Sequence, residues 1–264
     1  MKYKLIAADM DGTLLNDESV ITERTKISIQ KAVETGTLFV AATGRPMCGV
    51  ENMNSLFDED IPFITFNGAM VIMGKSKKIL FNKSLEPNHV KEIYTLGTNR
   101  NIPVVLWIGE QLWVSLECEA TSDYQKITGA DMNIISDINE LKVRGVTKML
   151  WMDTPDNIAQ FQSEMNEHFK GAVNCHISRP VFLEFVNAQA DKGRAMAEIG
   201  KVYGIDKNEM IAVGDSYNDI SMLKYAGLGI AMENAPDDIK TICRHVTLSN
   251  NDDGVAAVIE KYIL

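Results

Sequence analysis

Four short polar clusters hold the residue types that could do chemistry in this chain. The first is Asp9-Met10-Asp11-Gly12-Thr13. A carboxylate such as Asp9 can attack phosphorus and form an acyl phosphate. Asp11, two residues on, can protonate a leaving oxygen and later take a proton from an attacking water. The second, Thr43-Gly44-Arg45-Pro46, offers a hydroxyl and backbone N–H groups that can hold phosphate oxygens. The third is Lys192, expected to open a helix, where a cation opposes the macrodipole and binding a phosphate would supply a reason for it. The fourth, Gly214-Asp215-Ser216-Tyr217-Asn218-Asp219, brings two carboxylates four residues apart; both face one site if a helix begins at once.

Taken singly, each cluster has an ordinary explanation. Asp-Gly closes a turn, Thr-Gly-Arg-Pro caps a helix, a lone Lys is usually solvated, and Asp215 is a good N-cap. Taken together they raise a problem of charge. Two carboxylates ~4 Å apart repel by about 4 kcal/mol at an effective dielectric of 20, so four that meet require something positive among them. A ligand set of oxygens, with neither His nor Cys, points to Mg²⁺ rather than zinc.

The elements that must position these clusters are legible as buried runs. Residues 3–8 (YKLIAA) read as a buried parallel strand ending at Asp9. A helical pattern follows Thr22 and ends at Gly36. A second strand at 38–42 stops at Thr43. Strand, helix and strand with polar residues at the strand ends make a βαβ unit, and such sheets bind ligands beyond the carboxyl ends of their strands. A third run at 63–66 is broken by Asn67-Gly68, and 70–73 with 78–81 read as a hairpin. Between about 85 and 185 the texture turns mixed, with strands at 103–108, 111–116, 146–152 and 181–186. An amphipathic helix is expected around Ile158, Phe161, Met165 and Phe169. After Asp191 the buried pattern returns, with a strand at 210–213 closed by Gly214-Asp215, a short one at 228–231, and helices after Pro236 and from about 253. The expected architecture is α/β: a Rossmann-like parallel-sheet core from residues 1–83 and 188–264, interrupted by an α/β (α+β) insert at 84–187.

Bulk properties limit the partners. The chain has 264 residues, of which 45% are hydrophobic and 23% charged, and a formal net charge of −10. That composition excludes disordered and fibrous classes, and the acidic balance argues against nucleic acid and anionic membranes. A phosphorylated small molecule therefore needs a local positive feature. Cys48, Cys118, Cys175 and Cys243 stand far apart with no metal spacing, which suits thiols in a reducing compartment. The apolar run before Asp9 is too short for a signal or membrane segment, so a cytoplasmic location is expected.

The clusters resemble the four motifs of the haloacid-dehalogenase-like superfamily: Asp9-Met10-Asp11-Gly12-Thr13, Thr43-Gly44-Arg45, Lys192, and Gly214-Asp215-x-x-Asn218-Asp219. The run GDSYNDISMLKYAGLGIAM, the Asn67-Gly68-Ala69 step and the size of the insert are similar to the Cof-type sugar phosphatases. The resemblance covers essentially the whole chain. It implies a core with a mobile cap hinged near 82–86 and 186–191. Asp9 would be the nucleophile, Asp11 the general acid/base, and Thr43, Lys192 and Asn218 ligands of phosphate or substrate. Met10 and Gly44 would offer backbone N–H groups. Mg²⁺ would be held by Asp9, the Asp11 carbonyl and Asp215, while Asp219 acts through water or orients Lys192 and Arg45 pairs with a core carboxylate or meets substrate. His176, Arg179, Phe182 and Glu184, near the return hinge, could reach substrate or be ordinary cap residues. Ion pumps of the superfamily carry Thr two residues after the nucleophile. Asp11 in that place favours hydrolysis of small phosphate monoesters, sugar phosphates or related metabolites. A sugar phosphomutase, a non-catalytic phosphometabolite sensor and a phospho-receiver module are the rival readings.

Overall fold

The computed structural model describes residues 3–54 and 59–264, so the expected core residues at 1–2 and 55–58 lie outside the described residues. The chain forms two compact units, one from Met1–Phe81 with Asp191–Leu264 and one from Asn82–Ala190. Residues 82–83 and 188–190, assigned to the core from sequence, thus belong to the second unit.

The first unit opens with β1 (Leu5–Asp9), α1 (Glu23–Glu34), β2 (Leu38–Ala42), α2 (Glu51–Asn54), β3 (Pro62–Thr65), β4 (Met70–Met73) and β5 (Ile79–Asn82). The second contains α3 (Pro87–Thr98), β6 (Val104–Ile108), β7 (Gln111–Val114), α4 (Glu119–Thr128), β8 (Met132–Ile134), α5 (Ile138–Leu141), β9 (Val146–Met152), α6 (Pro155–Phe169), β10 (Val173–Arg179) and β11 (Phe182–Asn187). The chain then returns to the first unit with α7 (Lys192–Tyr203), β12 (Met210–Gly214), α8 (Ile220–Tyr225), β13 (Leu228–Ala231), α9 (Asp237–Ile242), β14 (His245–Val246) and α10 (Gly254–Tyr262).

In the first unit the strand order among the described residues is β14-β13-β12-β1-β2-β3-β4-β5. The strands from β14 to β3 are parallel, and β4 runs antiparallel to β3. β1 sits where the order reverses: β2 and β3 follow it on one side, β12 and β13 on the other. The carboxyl ends at such a reversal form the ligand crevice of an open α/β sheet. Asp9 ends β1 and Asp215 follows β12, so the topology alone brings them together.

The local reasons are plain. β1 is LIAAD with every residue buried, as a strand covered on both faces requires. The Thr22 hydroxyl caps α1 by accepting the Thr25 N–H, and Gly36, at φ +88°, ends it. Asp191 caps α7 by accepting the Arg194 N–H at 2.8 Å. Ala195, Met196 and Ile199 of that helix pack with Leu5, Ala7 and Ala212 in one core, at about 1.5–3 kcal/mol for each large side chain. Lys192 is thereby fixed in the first turn of a helix that cannot slide.

The second unit has the order β10-β11-β9-β6-β7-β8. It is antiparallel except for β7 with β8. One face packs Leu106, Met149, Trp151 and Phe185 with residues of α3, α5 and α6. On the other face Tyr124 of α4 meets Trp107 and Phe182 edge-on, at 6.4 and 5.5 Å between ring centroids. Lys148 and Glu184 are buried on that face, 2.9 Å apart. The Ser178 hydroxyl also donates to Glu184 at 2.9 Å. His176 and Arg179 lie on β10, a strand the sequence reading missed. β10 escaped notice because Asn174, His176, Ser178 and Arg179 give it a polar texture, whereas its place in the sheet depends on pairing with β11.

Burial works to raise the Glu184 carboxyl, but the Lys148 ammonium, with His176, overrides it and holds it at about 2. Glu184 thus stabilises the fold fully above its ordinary value of 4.5, and that contribution is lost as pH falls toward 2. Glu184→Gln leaves Lys148 buried beside a neutral group, an expected loss of about 3–5 kcal/mol in urea unfolding at neutral pH. The loss of stability below pH 4.5 becomes shallower in the variant.

Candidate active site

Asp9, Lys192, Asp215 and Asp219 meet at the carboxyl ends of β1 and β12. Lys192 has no solvent exposure. Its ammonium donates to an oxygen of Asp9 and to Oδ1 of Asp219 at 2.6 Å. Asp219 is equally buried, and its Oδ2 accepts the backbone N–H groups of Asp215 at 3.0 Å and Ser216 at 2.9 Å. Both oxygens of Asp219 are thus engaged within the protein, one aiming Lys192 and the other fixing the loop that carries Asp215. Asp215 accepts the Thr13 hydroxyl at 2.7 Å and the Ser216 hydroxyl at 3.0 Å.

The α-helix does not begin immediately after Asp215. A 3₁₀ turn at Tyr217–Asp219 comes first, and α8 starts at Ile220. The tighter turn lets Asp219 reach back to the two amides, so Asp215 is free of the capping role that a helix start would give it. Gly214 permits this approach, since a Cβ there would lie 2.6 Å from Asp219. Gly12 is needed for the same reason: at φ +80° its added Cβ would come within 2.7 Å of Asp215.

Carboxylate oxygens of Asp9, Asp215 and Asp219 lie within 4.8 Å of one another. Against these charges stands one ammonium, and the electrostatics reflect the deficit. Burial pushes the Asp9 carboxyl up, to about 8, with Asp219 adding to the effect and Lys192 opposing it. Burial likewise raises Asp215, against the two hydroxyls. Lys192 is opposed by its burial but raised overall by Asp9 and Asp219. An oxygen-only donor set short of positive charge fits a hard divalent cation. Asp9, Asp215 and the Asp11 carbonyl could hold one, and Asp219 is already occupied.

The other expected residues fall around this centre, with one correction. Asp11 is half exposed and pairs with Arg45, whose Nε donates to Asp11 Oδ2 at 3.1 Å. Thr43 is buried, and its hydroxyl accepts the Arg45 N–H at 3.1 Å. Pro46 precedes a 3₁₀ turn at Met47–Val50, not an α-helix. The Met10 N–H is engaged by the Ala42 carbonyl at 3.1 Å, which extends the β1–β2 pairing by one residue; it is not available to a phosphate. The amides of Asp11 and Gly44 donate to no protein acceptor among the described residues. Asn218 lies at the exposed rim and donates to Asn67 Oδ1 at 2.9 Å.

Sequence reasoning gave no role to Thr13, Asn67 or Asn234. Thr13 lay within the quoted motif, and its hydroxyl was the available signal. Asn234 donates to the Gly12 carbonyl at 2.7 Å, 222 positions away, and accepts the Asn250 N–H at 3.1 Å, contacts that no local pattern announces.

Residues 6–259 match the haloacid dehalogenase-like hydrolases, and the chain belongs to that family. It is an enzyme of Cof type within it. Over 285 residues it is 30% identical to 5-amino-6-(5-phospho-D-ribitylamino)uracil phosphatase YwtE of Bacillus subtilis (strain 168), with 98% of each chain covered. Among solved structures, TM0651 from Thermotoga maritima is 31% identical with a TM-score of 0.87, covering 98% of this chain and 97% of that one. A haloacid dehalogenase-like hydrolase from Bacteroides thetaiotaomicron is 29% identical with a TM-score of 0.84, covering 98% and 99%.

Removing Asp219 tests the core of this arrangement without reference to catalysis. Asp219→Ala leaves Lys192 short of an anion and two buried-side amides without an acceptor. Urea unfolding should show a loss of about 3–5 kcal/mol; a loss under 1 kcal/mol would contradict the positioning role.

Proposed function

We propose that the chain is a Mg²⁺-dependent phosphatase that hydrolyses small phosphate monoesters through a phosphoryl-aspartate on Asp9. The observation that carries the reading is the buried Asp9, held by Lys192 at the switch point of the sheet, with Asp11 two residues beyond it. In the first half-reaction a carboxylate oxygen of Asp9 forms the new O–P bond. The bond from phosphorus to the leaving oxygen breaks, and Asp11 gives that oxygen a proton. In the second, water attacks the same phosphorus, Asp11 takes its proton, and the Asp9 carboxylate is released. Lys192, the Thr43 hydroxyl and the Gly44 and Asp11 amides hold phosphoryl oxygens and stabilise the charge that spreads over them in transfer. Mg²⁺, held by Asp9, Asp215 and the Asp11 carbonyl, supplies the further positive charge that phosphoryl transfer needs.

Arg45 keeps the Asp11 carboxylate beside the site before substrate enters. Asn218 serves substrate at the rim, and Asp219 orients Lys192. The substrate is a phosphorylated small molecule, a sugar phosphate or related metabolite. The B. subtilis relative is named for a phosphate ester on a polyhydroxyl ribityl chain, which is consistent with that class. The unit at Asn82–Ala190 is proposed to select the leaving group, being inserted between the second and third clusters. No helix of the described residues is long and apolar enough to cross a membrane; the proposed setting is the cytoplasm, without nucleic-acid or membrane partners.

Two experiments test this reading. Phosphate release from a metabolite panel with Mg²⁺ should vanish in Asp9→Asn and fall by about 10²–10⁴ in Asp11→Asn; Mg²⁺-dependent turnover by Asp9→Asn removes Asp9 as nucleophile. In thermal unfolding, Mg²⁺ at about 100 times its Kd should stabilise the wild type by about 2.7 kcal/mol. At one fixed Mg²⁺ concentration that stabilisation should grow as pH rises toward 8, since the cation competes with the proton that burial favours on Asp9. An Asp215→Asn variant stabilised as much as wild type would exclude this ligand set.

A further inference from the structure

The Asn67-Gly68-Ala69 step stands out in the sequence, and the catalytic scheme above leaves it unused. Its backbone is the least ordinary in the first unit. Phe66, Asn67 and Gly68 have φ of +51°, +55° and +96°, three successive left-handed residues of which only the last is glycine. Ordinary side chains avoid this region, and Asn tolerates it better than most. The turn is held by Phe66 N–H to the Arg45 carbonyl at 3.2 Å and Asn67 N–H to the Thr43 carbonyl at 3.0 Å. Gly68 lies against the start of α7, where an added Cβ would meet the Asp191 carbonyl at 2.2 Å and the Lys192 nitrogen at 2.6 Å. The turn is therefore wedged between Thr43 and Lys192, the two residues proposed to grip the phosphoryl group.

The conformation puts the Asn67 amide on Gly44, where a Cβ would lie 3.0 Å from Asn67 Oδ1 and 3.1 Å from Nδ2. Asn67 Oδ1 accepts the Asn218 amide at 2.9 Å. This bond fixes both side chains and leaves each with one unused function. Among the described residues Asn67 Nδ2 donates to nothing and Asn218 Oδ1 accepts nothing. The pair thus offers one donor and one acceptor side by side at the rim of the phosphate site. A hydroxyl group, which accepts and donates at once, is the group that satisfies both.

We infer that Asn67 is a specificity residue which, with Asn218, reads a hydroxyl of the leaving group close to the phosphate ester. The favoured substrates are phosphate esters of polyhydroxyl chains, and simple alkyl phosphates lack the group the pair recognises. The inference rests on the phosphatase reading above and adds the residue that sets part of its selectivity. A site built to hydrogen-bond a hydroxyl discriminates strongly against the analogue without one.

The test is the ratio of kcat/KM for hydroxyl-bearing to hydroxyl-free esters: glycerol 1-phosphate against n-propyl phosphate, and ribitol 5-phosphate against n-pentyl phosphate. The wild type should favour the hydroxyl-bearing ester in at least one pair. Asn67→Asp keeps the left-handed backbone and the acceptor for Asn218 but loses the donor; Asn67→Gly keeps the backbone and loses both. Each should lower the ratio about tenfold or more, and any general repulsion of phosphate by the new carboxylate cancels within it. A wild-type ratio near one in both pairs overturns the inference, as does a ratio unchanged in both variants. No phosphate release from any of the four esters, nor from the metabolite panel, overturns the phosphatase reading itself and this inference with it.

Discussion

Lys192 is a fully buried ammonium with one carboxylate on either side, and the first unit is arranged around that constraint. A buried charge is tolerated only when paired and hydrogen-bonded. Asp9 and Asp219 meet that demand from two different strand ends. Asp219 in turn can do so only because Gly214 admits it, and its second oxygen is held by the Asp215 and Ser216 amides. Two loops distant in sequence are thereby bonded to one ammonium, and the tight left-handed turn at Phe66–Gly68 packs against the backbone at the start of α7, the helix that carries that ammonium.

The arrangement also explains how a chain of net charge −10 can bind an anion. Long-range repulsion is screened within about 10 Å at ordinary salt, whereas the interactions inside the crevice are short and partly dry. A single ammonium among three acidic side chains still leaves the crevice negative, and burial, with a smaller contribution from the neighbouring carboxylates, pushes Asp9 and Asp215 above the ordinary carboxylate range. The acidic cluster is in this sense incomplete by itself. A divalent cation would bring the ligand set close to neutrality.

The core strands were legible because β1, β2 and β12 are short runs, buried throughout except at Leu38 and closed by polar residues, and the helices between them carry Thr22, Asp191 and Gly204 at their ends. Asp9, Thr43, Lys192, Asp215 and Asp219 were legible for the same reason: each stands at or just beyond a strand end or at a helix start. What sequence did not reveal depends on contacts distant in the chain. The engagement of the Met10 N–H follows from the register of β1 with β2, which places Asp9 opposite Ala42. The Lys148–Glu184 pair joins two strands of apolar texture at a separation of 36 residues. The role of Asn67 emerges only from its positive φ and from Asn218, 151 residues away. Local pattern specifies elements and their ends, and tertiary pairing decides which polar atoms remain available.

The central claim is that phosphorus passes through Asp9. It is tested most directly by quenching the enzyme during turnover, reducing it with borohydride and sequencing the peptides by mass spectrometry. An acyl phosphate on Asp9 is reduced to homoserine, so homoserine at position 9, formed only when substrate and Mg²⁺ are present, is the expected result. Full turnover with Asp9 unchanged, or with the reduced residue at another carboxylate, would contradict the account.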